Sequence, residues 1–123
     1  MKKNITFLGD TLKVIRSFPD DAKQDVGYQL HKVQSGDQPD DFKPMHAVGA
    51  GVEELRVWDD QGTYRVIYTA RFQDTVYVLH SFKKQTEETP TAEIDAAKDR
   101  LKAANALEAE KAKAAKTARK GKK

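Results

Sequence analysis

The chain of 123 residues contains no cysteine and no long hydrophobic run. The lack of cysteine excludes disulfide bonds, thiolate metal ligands and cysteine nucleophiles, and it fits a reducing compartment. No apolar run is long enough to cross a bilayer, and residues 5–8, which follow two lysines near the N-terminus, are too short for the core of a signal peptide. We therefore expect a cytoplasmic protein, and the length favours one compact domain.

Histidine is scarce as well, and the common catalytic motifs are missing. The three histidines, His31, His46 and His80, fit no metal-ligand spacing, so we predict no structural metal. The sequence contains no Walker loop, dinucleotide-binding glycine pattern, zincin helix or Ser-His-Asp order. It therefore gives no support to these enzyme classes, and we predict no cofactor.

Positive charge is concentrated at the C-terminal end. Residues 108–123 contain seven Lys and Arg and two Glu, a net charge of +5, whereas the whole chain carries +3 and the preceding 107 residues therefore −2. We divide the chain into a domain over residues 1–107 and a basic, Ala/Lys-rich tail over residues 108–123. The tail is interpreted either as a solvated, fraying helical extension or as a basic arm for RNA, the ribosome or an acidic partner.

Three β-rich runs between residues 52 and 90 organise the chain. They cover residues 52–58, 63–72 and 75–82, and short polar connections separate them. Because these connections are too short for a helical crossover, neighbouring strands are expected to run antiparallel, as a meander. Residues 5–8 form another short β-like run whose place in the sheet the sequence leaves open.

Helices are predicted on both sides of this meander. Leu12 and Ile15 fall at helical spacing, and a second helix is expected to begin at Pro19 and to end near residue 35. Its apolar stripe is Ala22, Val26, Leu30 and Val33. Residues 36–51 are predicted to be loop, and a C-terminal helix is expected from Pro90, capped by Thr89. The prediction is an α+β domain, with Val66, Ile67, Val78 and Leu79 among its most buried residues.

Cationic residues are distributed over all three strands of the meander. Arg56 lies on the first strand, Arg65 on the second, and His80, Lys83 and Lys84 on the third. Together with an aromatic side chain, Trp58 or Phe82, such a group suits phosphodiester chemistry, which uses charge stabilisation, base stacking and proton transfer. The other interpretation is an ordinary charged surface, balanced by the acidic residues Glu53, Glu54, Asp59 and Asp60.

Strand alternation predicts how these side chains divide between the two faces of the sheet. Arg56 is expected opposite Leu55 and Val57. On the third strand, His80, Phe82 and Lys84 are expected on one face, and Leu79 and Lys83 on the other.

Three stretches of the chain carry a family resemblance. They are Tyr64-Arg65 at the start of a strand, residues 79–84 with the sequence LHSFKK, and Thr89-Pro90 followed by Glu93, Ile94, Ala97 and Arg100. With the order of predicted elements, residues 4–104 resemble the RelE/HigB/ParE superfamily of bacterial toxins, and in particular its phage-related HigB-like branch. The resemblance implies a RelE-like fold and the toxin of a type II toxin–antitoxin system. Its implied activity is metal-independent, ribosome-dependent cleavage of mRNA, neutralised by an antitoxin that is often a helix-turn-helix DNA-binding protein.

The resemblance also implies roles for individual residues. Arg56, Arg65 and Lys84 stand where RelE-like toxins place basic residues for mRNA cleavage. Trp58 replaces a second lysine, and no tyrosine follows Tyr77 to match the tyrosine that RelE carries near its last helix. We therefore assign catalytic roles to Arg65, Lys84 and His80, with His80 as the substitute proton carrier because imidazole titrates near neutrality. The predicted RNA-binding residues are Arg56, Trp58, Phe82 and Lys83.

Two other functions remain open at this point. ParE-type relatives share the scaffold and inhibit DNA gyrase by binding, without the basic catalytic set. A non-catalytic interaction module on the same fold is the third possibility. The predicted partners of the nuclease are its antitoxin, the ribosome and mRNA.

Overall fold

The computed structural model describes residues 2–84 and 89–120, with side chains described up to residue 116 in the last helix. The elements in chain order are β1 (Asn4–Phe7), α1 (Thr11–Arg16), α2 (Asp20–Gln34), β2 (Phe42–Pro44), β3 (Val52–Asp59), β4 (Gly62–Thr69), β5 (Thr75–Lys84) and α3 (Thr91–Lys120). In the part of the chain described, no helix is both long enough and apolar enough to cross a membrane.

The strands form one mixed sheet in the order β1-β5-β4-β3-β2. Strands β2 to β5 pair antiparallel with their sequence neighbours, which confirms the predicted meander. β1 pairs parallel with β5, with Phe7 opposite Val78, and this settles the strand order that the sequence leaves open. The α+β class is confirmed, and the arrangement is consistent with a RelE-like fold.

The loop prediction for residues 36–51 is wrong at its centre, where β2 forms. Phe42 pairs with Leu55 and Pro44 with Glu53, which makes β2 an edge strand. Proline is tolerated there because an edge strand has one side without ladder hydrogen bonds. A three-residue strand with a proline has too little alternation to be recognised in the sequence.

Helices cover both faces of the sheet, and each face has its own core. α1 and α2 lie on one face, called the α2 face below, and α3 lies on the other, called the α3 face. The α2-face core contains Ile15, Phe18, Ala22, Val26, Leu30, Val33, Leu55, Val57, Tyr64, Val66, Tyr68, Val76 and Val78. The α3-face core contains Met45, Val48, Val52, Ile67, Tyr77, Leu79, Phe82, Ala97 and Ala104. The predicted core residues Val66, Ile67, Val78 and Leu79 are confirmed, since all four are fully buried.

A β-bulge in β5 changes the predicted face of one residue. Ile67 pairs with His80 and Tyr68 with Val78, so Leu79 is the extra residue between two paired ones. A bulge interrupts strict alternation. The prediction that Leu79 lies on the face opposite His80 is therefore wrong: Leu79 packs in the same core cluster as Phe82.

Both helices predicted to begin at a proline begin one residue later. α2 starts at Asp20, and the extended Pro19 is its N-cap residue, whose carbonyl accepts from the amide of Lys23. α3 starts at Thr91, and the carbonyl of Pro90 accepts from the amide of Ile94. Because α3 begins after Pro90, Thr89 lies one residue before the N-cap position, so its predicted role as the cap is wrong and its hydroxyl bonds to Glu54 instead.

Candidate functional site

The register of the sheet places six of the seven predicted site residues on the α3 face. Arg56, Arg65 and Phe82 lie opposite one another across β3, β4 and β5, and Trp58, Thr63 and Lys84 form the next row, at the end of the sheet. His80 lies one row in the other direction. Lys83 points to the α2 face, where its ammonium lies 5.7 Å from the centre of the Tyr64 ring. The structure therefore brings the predicted residues together, with Lys83 as the exception.

A buried ion pair forms the centre of this face. Arg65 Nη1 donates to Glu54 Oε1 at 3.1 Å, and neither side chain has any exposed surface. The Thr89 hydroxyl donates to the other oxygen of Glu54 at 3.0 Å, and Arg65 Nη1 also lies 3.4 Å from this hydroxyl. Two buried charges are tolerated only when each is paired and hydrogen-bonded, and this arrangement meets that condition for Glu54.

Arg65 and Lys84 lie beneath the surface. Arg65 is fully buried, and Lys84 is 5% exposed. A phosphate on the surface cannot touch Arg65 in this conformation, and the Glu54 carboxylate, 3.1 Å away, offsets most of the field of the guanidinium. The two predicted catalytic cations therefore form a charged layer under the face.

The exposed part of the site is built on Trp58. The residue is 55% exposed, and its indole N–H donates to Asp41 Oδ2 at 2.6 Å. Arg56 donates to the other oxygen of Asp41, from Nη2 at 2.8 Å and from Nε at 3.2 Å. The carboxylate thus holds the arginine and the indole side by side. A fixed, exposed aromatic face beside a guanidinium is suited to stacking on a nucleic-acid base next to a phosphate.

The imidazole of His80 has protein partners at both nitrogens. Arg100 Nη1 lies 2.8 Å from Nδ1, and Glu93 Oε1 lies 3.0 Å from Nε2. Because a guanidinium can only donate, Nδ1 must accept and Nε2 must carry the hydrogen that is donated to Glu93. His80 is therefore held as the neutral Nε2–H tautomer, and in this arrangement neither nitrogen is open to a substrate.

Arg100 connects α3 to the sheet and to the start of α1. It donates to the carbonyl of Leu79 at 3.2 Å and to Asp10 at 2.9 Å, besides His80. Gly9, with φ +59°, lies directly beneath it, and a Cβ there would come within 2.6 Å of the guanidinium. Glycine suits this position for two reasons: its backbone is left-handed, and any larger residue would place a Cβ against Arg100.

Phe82 is packed rather than exposed. It is 7% exposed and stacks on the His80 ring, with ring centres 5.5 Å apart. Of the two aromatic residues predicted to stack on a base, Trp58 presents its ring to solvent, and Phe82 forms part of the α3-face core.

A family model described as Phage derived protein Gp49-like (DUF891) matches residues 13–102. The chain belongs to this Gp49-like family. The family contains RelE-like toxins and is related to the toxins of toxin–antitoxin systems. No curated protein matches the chain. The matched region includes all seven predicted site residues, whereas the basic tail over residues 108–123 lies beyond it.

Several residues that shape the site in this Gp49-like protein were not predicted to have a role there. They are Asp41, Glu54, Thr89, Glu93 and Arg100. Glu54 had a usable signal, because it is two residues from Arg56 on the same strand and must share its face. Asp41 had none, since it reaches the site from a loop. Arg100 belongs to a stretch that carries the family resemblance, but its contact with His80 depends on how α3 packs on the sheet.

Proposed function

We propose that this protein is the toxin of a type II toxin–antitoxin pair and that it inhibits translation by cleaving mRNA on the ribosome. One observation carries the proposal. Arg56, Arg65 and Lys84 converge on one end of the α3 face beside the exposed ring of Trp58, in a member of a family that contains RelE-like toxins. A cationic group next to a stacking surface is suited to RNA cleavage.

The proposed reaction is a transesterification within the RNA chain. The ribose 2′-oxygen attacks the adjacent phosphorus, the bond from phosphorus to the 5′-oxygen breaks, and the products are a 2′,3′-cyclic phosphate and a 5′-hydroxyl. Trp58 stacks on a base, and Arg56 contacts the backbone. Arg65 and Lys84 stabilise the additional negative charge on the phosphate as the transition state forms.

Burial requires a conformational step before Arg65 can bind the phosphate directly. Its guanidinium is enclosed and paired with Glu54, so contact needs a rearrangement of this pair. Docking on the ribosome provides binding free energy for such a rearrangement and orients the substrate. Without that step, the Glu54 carboxylate offsets most of the field of Arg65 at the phosphate.

The proton carrier proposed for the reaction is His80, and the geometry sets a condition on this role. To accept a proton at Nδ1, the ring must lose its hydrogen bond from Arg100. The role therefore also requires a rearrangement at the site. The proposed inhibitor of the toxin is a cognate helix-turn-helix antitoxin, which would prevent cleavage before the protein reaches the ribosome.

Two adjacent lysines provide the test. Lys84→Met removes a charge from the α3 face, and Lys83→Met removes the same charge from the α2 face. After induction, primer extension on translated mRNA should show cleavage by the wild type and by Lys83→Met, and a loss on the order of 10²- to 10³-fold for Lys84→Met. Thermal unfolding of both variants checks that they fold.

Two results would overturn the proposal. One is a folded Lys84→Met variant that cleaves mRNA at the wild-type rate. The other is a wild type that blocks DNA gyrase without cutting mRNA, which would favour the ParE-like function.

A further inference from the structure

The end of α3 is attached to the sheet by a cluster of polar contacts. The Tyr77 hydroxyl donates to the Glu108 carboxylate, and Lys111 Nζ donates to Glu108 at 2.9 Å and to the Thr75 hydroxyl at 3.0 Å. Asp74 lies 3.5 Å from the same ammonium. The hydrogen bond to Glu108 raises the pKa of Lys111. These contacts fix the direction in which the helix leaves the domain.

The helix continues beyond this attachment as a basic segment. Residues 112–123, called the basic arm below, contain six Lys and Arg and no Asp or Glu. The helix itself reaches Lys120, about 14 Å past Lys111 at 1.5 Å per residue. The arm is therefore a directed, positively charged rod over most of its length.

Two lysines of the arm lie on the side away from the sheet. At 100° per residue, Lys113 and Lys116 are rotated by about 160° and 140° from Lys111, which faces β5. Both are exposed. Both side chains therefore lie on the solvent side of the helix, while Lys111 holds the helix to the domain.

The composition of the arm decides what kind of partner it fits. After Leu107 the sequence contains no apolar side chain larger than alanine. An apolar groove or a lipid surface would gain little from such a helix, because the hydrophobic contribution scales with buried apolar area. A partner with closely spaced negative charges gains much more, through release of its counterions.

We propose that the basic arm is a second RNA-binding surface, which contacts RNA phosphates at a distance from the α3-face site. This inference rests on the proposed function, in which the protein works on the ribosome and the phosphates are those of ribosomal RNA. The remaining 111 residues carry a net charge of −3, so the arm is the part of the chain that favours association with a polyanion.

The test compares two full-length variants that each lose three positive charges. Lys113→Gln/Lys116→Gln/Lys120→Gln removes charge from the arm and keeps good helix-forming residues. Lys2→Gln/Lys13→Gln/Arg16→Gln is the control, with the same net charge and an intact arm. Binding to purified 70S ribosomes is measured over a series of salt concentrations. The slope of log K against log salt is negative, and for the arm variant its magnitude should decrease by about 2 to 3. For the control variant the magnitude should change by less than about 1.

The outcomes separate this inference from the proposed function. If the arm variant keeps the wild-type salt slope while the wild type cuts mRNA, the arm inference is overturned and the nuclease stands. An arm variant that binds ribosomes normally but loses affinity for the antitoxin would also overturn it, because the arm would then be a protein-binding element. If the wild type neither binds ribosomes nor cuts mRNA, the nuclease proposal fails. The same salt titration with purified ribosomal RNA then tests whether the arm binds RNA. An arm variant with the wild-type slope overturns the inference, and one with a shallower slope supports it.

Discussion

Glu54 and Leu55 are neighbours on β3 and are both fully buried, but they lie on opposite faces of the sheet. Leu55 packs in the α2-face core, among apolar and aromatic side chains. Glu54 is held by Arg65 and Thr89 on the α3 face. One strand thus contributes to stability on one side and to a charged site on the other. The two faces are expected to respond differently to substitution.

The largest effect is expected where one half of the buried ion pair is removed. Arg65→Met leaves Glu54 buried without its guanidinium, which should lower the free energy of unfolding by about 3 to 5 kcal/mol. Glu54→Leu/Arg65→Met should recover most of that loss, because no unpaired charge is left. Denaturant unfolding measures both. An Arg65→Met variant as stable as the wild type would show that the pair does not contribute as the structure indicates.

This double variant also separates stability from activity. If the cationic face carries the chemistry, Glu54→Leu/Arg65→Met should be folded and should fail to cleave translated mRNA. Full cleavage by the folded double variant would remove Arg65 from the mechanism.

On the α2 face, Leu55→Ala is expected to act on stability alone. Deleting a fully buried leucine side chain costs about 2 to 5 kcal/mol through lost burial and the cavity that remains. Cleavage per folded molecule should stay close to that of the wild type, when the folded fraction is measured by circular dichroism at the assay temperature. A stable variant with impaired cleavage would contradict the division between the faces.

A smaller effect is expected at the exposed aromatic residues. Trp58→Ala should weaken RNA binding by about 1 to 3 kcal/mol, the contribution of one stacked base. Tyr28 on α2 is the matched control, because it is exposed to a similar extent, 59% against 55% for Trp58. Tyr28→Ala should leave binding of a short single-stranded RNA unchanged. Equal losses in the two variants would show that exposure, rather than position on the α3 face, decides binding.

The smallest effect concerns acid stability on the α2 side. The hydrogen bond from Lys32 and the one from Gln29 lower the pKa of Asp40. A carboxyl group with a lowered pKa in the folded state stabilises the fold above its unfolded pKa of about 3.9, and this contribution is lost as the pH falls through the folded value. The difference in Tm between the wild type and Asp40→Asn should therefore be constant near neutrality and shrink below about pH 4. A difference that persists to pH 2 would contradict the pairing with Lys32.

The meander and the core were predictable because they depend on short-range patterns. Alternation along β3, β4 and β5 identifies the strands and correctly places Arg56 opposite Leu55. It fails at Leu79, where a bulge adds one residue, because a bulge leaves no mark in a run of apolar residues. It also misses β2, whose pairing with β3 stabilises three residues that have little strand character of their own.

By itself, the sequence determined which residues are cationic, which strand each occupies and which of them share a face, because these properties follow from composition and from the two-residue period of a strand. Tertiary structure decided how deeply each of these residues is buried and which groups it bonds to. Burial turned Arg65 into the partner of Glu54, Asp41 from a distant loop fixed Trp58 beside Arg56, and α3 occupied both nitrogens of His80. Burial and hydrogen-bond partners depend on how strands, loops and helices pack against one another, which the alternation within a single strand does not specify.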